Sequence, residues 1–427
     1  MPVMACEEIG TEPRTSDRSG WRPGVLGPRA RAWRTPLTLA AVVLAAFNLR
    51  PAVTSLGAAL DEVRSGLGMS GLVAGGLTAA PALCFAVMGP VAPRLARRFG
   101  PGAVMSAAMA AVTAGLLIRP HTGATVGFLL AGVPVLAGIA VGNVLLPAVV
   151  KRWFPTRVGP VTGLYSMALA LGSAVAAGGT VPLIAVLGGD WRLGLAAWAV
   201  PAAVALPVWL ALAGGRGAAP WEPPFPTVGP APAPRLARSP TAWALAVFFG
   251  LQATAAYVAM GWTAQIFRDA GVSPGRAGLL LALTMATGVP LAFVVPRLAA
   301  RSRRQGHLVL LLGCCGAAAY AGLVVAPTAG AWLWATLLGV STCAFPLALT
   351  MIGMRARTGE GVVRLSAFVQ SVGYLLSLPG PLIVGALHEH DGGWTRSICL
   401  MGALLVPQAV AGVLAGRPRA IEDEAGR

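Results

Sequence analysis

The chain alternates about a dozen times between an apolar run of about 20 residues and a short polar break. A helix rises about 1.5 Å per residue, so a run of that length matches the roughly 30 Å hydrocarbon core of a bilayer. Lipid offers the backbone no hydrogen bonds, which leaves helices or a closed barrel as spanning structures. A barrel needs short strands of alternating polarity. These runs are unbroken and rich in Ala, Leu and Gly. Only 11% of residues are charged and mean hydropathy is +0.73, against about 25% charged in a soluble domain. The expected fold class is therefore an all-α integral membrane protein.

The expected spans are Pro36–Leu60, Leu72–Ala92, Gly102–Ile118, Thr125–Val150, Val158–Leu187 and Trp191–Ala213, then Pro240–Phe267, Ala277–Ala300, Leu308–Ala326, Ala331–Met354, Val362–Leu387 and Trp394–Ala415. The Pro-rich stretch 214–239 separates the two sets and reads as a linker. Residues 1–35 hold six Arg and no apolar core, which predicts a disordered cytoplasmic tail and not a cleaved signal peptide. Residues 416–427 are expected as a second cytoplasmic tail. The domain reading is thus two six-helix halves, 36–213 and 240–415.

Net charge is +17, carried by 31 Arg and the single Lys151. A nucleic-acid surface is excluded because the basic residues lie in short clusters between apolar runs and not on one soluble face. With the N-terminus inside, 25 of the 32 basic residues fall in inside segments and six (Arg64, Arg119, Arg192, Arg268, Arg276, Arg396) in outside loops. That asymmetry obeys the positive-inside rule, with both termini cytoplasmic. The remaining one is Arg50. Cys6, Cys84, Cys314, Cys315, Cys343 and Cys399 show no metal or redox spacing. His121, His307, His388 and His390 fall near the membrane surfaces, and no cofactor or metal is expected.

The chain also repeats. Ser70–Arg98 aligns without gaps on Ser273–Arg301 with 11 identities in 29 positions. The match includes Pro93-Arg94-Leu95-Ala96 over Pro296-Arg297-Leu298-Ala299, at the same helix end. Two six-helix halves in parallel repeat are the architecture of major facilitator transporters.

Arg50 is the one charged residue expected well inside a span, away from its ends. It lies 14 residues past Pro36, about 21 Å along the helix. An arginine at mid-bilayer costs about 2.5–3.5 kcal/mol on insertion scales. Facing a cavity, its planar fork suits an anion or a strongly polar solute. Snorkelling outward, or neutralising Asp61 or Glu62, is the alternative. Pro51 removes a backbone donor and leaves the Phe47 carbonyl without its helical partner. It also pushes Arg50 away from the helical region. Interrupted helices of this kind build midplane sites, although a plain kink has the same sequence. Uncharged cavity candidates are Asn48, Asn143, Tyr165, Gln252, Tyr257, Gln370 and Tyr374. Each has the alternative of bonding a neighbouring helix. Asp61 and Glu62 are the acids nearest the site and the candidates for proton coupling, unless they only balance Arg64.

Several stretches resemble the cyanate and 2-nitroimidazole transporter family of the major facilitator superfamily. They are Asn48-Leu49-Arg50-Pro51 with Thr54-Ser55-Leu56-Gly57, then Leu146 to Arg152 and Thr162-Gly163-Leu164-Tyr165. Phe345-Pro346-Leu347, Ala367-Phe368-Val369-Gln370 and Gly373-Tyr374 complete the set. The resemblance implies a carrier working by alternating access on a cyanate-like anion or a nitroimidazole-like compound. The superfamily's cytoplasmic gating motif stands here as Gly89 with Arg94, Arg97 and Arg98. Pro93 occupies the place of its usual Asp, so only the basic half carries over. A proton-coupled multidrug exporter of the same fold is the competing function, but no buried carboxylate is visible. A membrane enzyme or receptor would need a catalytic cluster at membrane depth, and none is seen. The expected partners are a small-molecule solute and the lipid bilayer, around a monomer in the cytoplasmic membrane. Reporter fusions at Gly215 and Arg419 are expected to score cytoplasmic, and one at Pro327 extracytoplasmic. A cytoplasmic score at Pro327 contradicts the twelve-helix map.

Overall fold

A computed structural model describes residues 28–154, 157–214, 236–357 and 359–424. Among these residues there is no strand, and twelve helical spans are long and apolar enough to cross a membrane. They are α1 Pro36–Ala58, α2 Gly71–Gly89, α3 Pro101–His121, α4 Thr125–Trp153, α5 Pro160–Val186 and α6 Trp191–Ala213. The second six are α7 Pro240–Asp269, α8 Pro274–Arg301, α9 Gly306–Val325, α10 Ala331–Met354, α11 Arg364–Asp391 and α12 Thr395–Ala415. Residues 1–27, and 215–235 of the expected linker, lie outside the described residues.

The expected disordered tail needs one correction. Helix begins at Pro28, not Pro36. Pro28-Arg-Ala-Arg-Ala opens with a proline, whose missing N–H costs nothing in a first turn, and continues in strong helix formers. Arg119, expected in an outer loop, is buried at 2% exposure and lies over the Phe128 ring at 4.9 Å. At the C-terminus Ile421–Glu424 forms a helical turn.

The two sets of six helices build separate apolar cores. One consists of residues between Ala41 and Leu212, and the other, apart from Ala82, of residues between Ala242 and Ile421. A third cluster mixes them, joining Ala58, Leu60, Ala74 and Ala177 to Trp262, Phe267, Leu280 and Trp394. It gathers the ends of α1 and α7 and the beginnings of α2, α8 and α12. That end of the bundle is called outer below, after the arginine count.

α1 is not one rod. Helix stops at Asn48 and restarts at Pro51–Ala58, then again at Leu60–Leu67. Arg50 sits in the break with φ −122° and ψ −34°. Its departure from helix is in φ; ψ stays near the helical value, so the disturbance from Pro51 is a kink of one turn. Two glycines let neighbours crowd this broken helix. A Cβ at Gly172 in α5 would overlap the Phe47 carbonyl, the group Pro51 leaves without a helical donor. A Cβ at Gly57 would overlap the Met260 carbonyl of α7. Small residues are how membrane helices approach closely when no hydrophobic effect drives them together.

Gly172→Val therefore forces α5 off the break in α1. We expect a loss of at least about 1–3 kcal/mol from overpacking, read as a lower melting temperature of the purified protein. An unchanged melt contradicts this packing.

Candidate functional site

The break in α1 exposes the Arg50 side chain to the seam between the halves. The Arg50 carbonyl accepts from the Val53 and Thr54 amides at 3.0 and 3.1 Å and from the Thr54 hydroxyl at 3.2 Å. The residue therefore caps the second segment of α1 with its backbone. Its guanidinium is left for other work. Nη1 lies 3.8 Å from the Met260 sulfur of α7, a weak acceptor, and no carboxylate pairs with it among the described residues.

Aromatic rings close the surroundings. The phenols of Tyr257 and Tyr374 both lie within electrostatic reach of the Arg50 charge. Tyr374 stacks on Phe85 at 5.3 Å and 18°, and meets Phe249 edge-on at 5.1 Å and 84°. Phe249 in turn packs against Phe345 at 5.3 Å. α1, α2, α7, α10 and α11 thus converge on one cation and several ring faces. Such a place favours a flat solute that carries negative charge or a strong acceptor edge.

Of the polar residues singled out in the sequence, Arg50, Tyr257 and Tyr374 come together. Asn48 and Gln252 do other work. The buried Asn48 amide donates to the Leu44 and Pro201 carbonyls at 2.8 and 3.1 Å, tying α1 to α6. Gln252 donates to the Thr342 carbonyl at 3.1 Å and accepts from Gln408 at 2.8 Å, tying α7 to α10 and α12. Asn143 donates within its own helix to Ile139 at 2.9 Å, and Gln370 to Ser366 at 2.7 Å. Both are half-buried, and so is Tyr165, which packs against the core of the first half with its hydroxyl near Ser166. Phe85, Phe249, Phe345 and Met260 escaped the sequence reading, because a ring or thioether in an apolar run gives no sign of which way it faces.

At the outer end the halves are clamped by charge. Asp61 and Glu62 do not turn to Arg64. They reach Arg268 at the end of α7, at 3.5 and 2.9 Å. Gln265 adds a donor shared between Asp269 at 2.7 Å and Asp61 at 3.5 Å. Trp394 of the second half donates its indole N–H to Asp269 at 2.7 Å. A second link crosses from α2 to α11, where the Leu72 amide donates to Glu389 at 3.2 Å and Gly71 packs on Gly385. The gating motif lies at the opposite end of α2, whose helix continues to Phe99. There Gly89 has open space around it, Arg94 and Arg97 are exposed, and Arg98 lies over Phe99 at 5.2 Å.

Residues 38–381 match the Major Facilitator Superfamily model. The chain belongs to the major facilitator superfamily. It is a membrane transporter and not an enzyme. It is 33% identical over 386 residues to the 2-nitroimidazole transporter of Escherichia coli (strain K12), covering 90% of this chain and 96% of that one. It is 28% identical over 384 residues to the cyanate transport protein CynX of the same strain, covering 86% and 95%. Among solved structures it resembles a bacterial homologue of the human lysosomal transporter Spinster in an inward-facing, occupied conformation. There the TM-score is 0.74 at 16% identity, over 90% of this chain and 97% of that one. The last likeness is one of fold, and it agrees with the expected twelve-helix architecture.

These contacts hold the two halves together at this end of the bundle. Arg268→Gln removes a cation from between two carboxylates and is expected to raise the rate at which a membrane-impermeant thiol reagent reaches Cys84 from outside. The rise should be about ten-fold, the worth of one charged hydrogen bond. The assay uses a variant whose other cysteines are replaced. An unchanged rate contradicts the clamp.

Proposed function

We propose that this transporter carries a small anionic or strongly polar planar solute across the cytoplasmic membrane, and that Arg50 binds it in the seam between the halves. The observation that carries this reading is a guanidinium in a spanning segment whose one side-chain hydrogen-bond partner among the described residues is a thioether. A charge in such a place is costly, and a solute that neutralises it recovers that cost. At about 4 Å and an effective dielectric near 20, a guanidinium and an anion attract by about 4 kcal/mol. A cation would be repelled by a similar amount. The stacked rings select for flatness in the same solute, and Tyr257 and Tyr374 offer hydroxyls to its edge. The solutes of the two Escherichia coli relatives, a 2-nitroimidazole transporter and a cyanate transport protein, fit this reading. Both termini are taken as cytoplasmic and the unit as a monomer.

The coupling ion in this reading is the proton, taken up at Asp61 or Glu62. Neutralising either acid weakens its hold on Arg268, so protonation from outside loosens the clamp. Exchange of the bound solute then resets it.

The test is initial uptake or counterflow of labelled cyanate and 2-nitroimidazole, normalised to inserted protein. Arg50→Lys keeps the charge but loses the planar fork, and is expected to lower the rate about ten-fold or more. Arg50→Ala is expected to abolish transport while insertion is unimpaired, because it deletes an unfavourable residue from a span. Wild-type rates in Arg50→Ala overturn the assignment. Asp61→Asn and Glu62→Gln are expected to keep counterflow but lose accumulation driven by a pH gradient. Full accumulation in both overturns the coupling assignment alone.

A further inference from the structure

A second cation without a counter-charge among the described residues lies at the inner end of the second half. Arg355 follows the last residue of α10 and is 3% exposed. Its Nε donates to the Ala415 carbonyl at 2.7 Å, and its Nη2 donates to the Gln305 side-chain oxygen. Gln305 is itself fixed, donating to the Ala299 and Ser302 carbonyls at 3.1 and 2.6 Å. Every one of these partners is neutral. The acids of the C-terminal turn are engaged elsewhere. Glu424 accepts from the Thr241 hydroxyl at 2.6 Å, Asp423 pairs with Arg357 at 2.9 Å, and Glu422 accepts from the Arg357 amide at 3.1 Å. A buried guanidinium with no carboxylate beside it carries an unbalanced charge. Burial accordingly lowers its pKa, with no acid to raise it again.

Arg355 forms part of a recess of about 530 Å³ whose rim carries Arg301 and Arg303. Both rim arginines are exposed and make no ion pair among the described residues. Ala300, Met354 and Pro418 supply apolar wall, and no acid lines the recess. Arg301 and Met354 are the terminal residues of α8 and α10, so the recess opens where the protein leaves the bilayer. On the membrane side of that rim Leu298 is exposed.

We propose that this recess binds the phosphate group of an anionic phospholipid, with Arg301 and Arg303 gripping it from the rim and Arg355 balancing it from the floor. Guanidinium forks match phosphate oxygens in paired hydrogen bonds. Basic pockets at the ends of spanning helices meet head groups at that depth, and the exposed Met354 and Leu298 give the acyl chains an apolar approach. A free phosphate ion shares the head-group chemistry but has no use for the apolar side. The lipid would then fasten the ends of α8, α10 and the C-terminal turn, which meet around Arg355.

The full-length protein in detergent, titrated with phosphatidylglycerol or phosphatidylcholine and followed by native mass spectrometry, tests this. The wild type is expected to retain one phosphatidylglycerol in preference to phosphatidylcholine. Arg301→Gln/Arg303→Gln is expected to weaken that binding roughly 25-fold, about five-fold for each arginine at a charged leaflet. Arg417→Gln, an exposed arginine outside the recess, serves as the control and is expected to change nothing. Millimolar inorganic phosphate is expected to leave the lipid in place. Equal retention by the double variant and the wild type overturns the site. Displacement of the lipid by inorganic phosphate overturns the lipid as its occupant. Solute transport is not the readout, so neither result depends on the reading of Arg50.

Discussion

A guanidinium held at membrane depth without an acid partner among the described residues is the constraint around which the rest is organised. Neutral neighbours do not relieve the charge of Arg50. It is not relieved by a neighbouring carboxylate either, since the acids on its own helix are spent on Arg268 at the outer end. The Met260 thioether is a poor substitute. In the proposed reading a visiting anion or acceptor fills this position, and the helix break beside it supplies a cap that leaves the side chain free to reach one. The same logic holds at Arg355, where a buried guanidinium again has only neutral partners. There the surroundings open toward the bilayer surface and not the seam.

In the proposed reading, binding and gating share parts. Met260 touches Arg50 through its sulfur and receives the close approach of Gly57 through its carbonyl. Gly57 lies in the second segment of α1, and Asp61 and Glu62 follow in the next. A solute that takes the place of the Met260 sulfur at Arg50 thus acts at the crossing of α1 and α7, a short way from the charges that clamp the halves. No long pathway is needed, because one broken helix carries the cation, the crossing and the clamp. The break also lets the second segment of α1 tilt without dragging the first, which Asn48 holds to α6.

The features legible in the sequence are those that lipid makes costly. An apolar run must be a helix, so the twelve spans follow from composition. A charge in such a run must have a use, so Arg50 stands out from 32 basic residues. A proline removes a donor, so the break is readable, although φ alone and not ψ carries the departure from helix. Polar amides were harder. Asn48 and Gln252 looked like cavity residues, but each binds carbonyls of its own half, since an amide in lipid takes the nearest backbone acceptor. Which amides are so used depends on neighbours 90 to 156 residues away. The rings of Phe85, Phe249 and Phe345 were invisible for a different reason, because facing lipid and facing a solute require the same apolar residue. The pairing of Arg268 with Glu62 crosses the two halves, and no local pattern announces it.

The central claim is that one positive charge sets what the seam accepts. Equilibrium binding to the purified protein of benzoate, benzamide and benzamidinium, three flat rings of matched shape and opposite or no charge, addresses it directly. The account predicts that the wild type prefers benzoate to benzamide and rejects benzamidinium. It also predicts that Arg50→Ala erases this order by lowering benzoate affinity about 10- to 100-fold, the worth of a charged hydrogen bond. A wild type that binds the cation as well as the anion, or an Arg50→Ala protein that keeps the wild-type order, would contradict it.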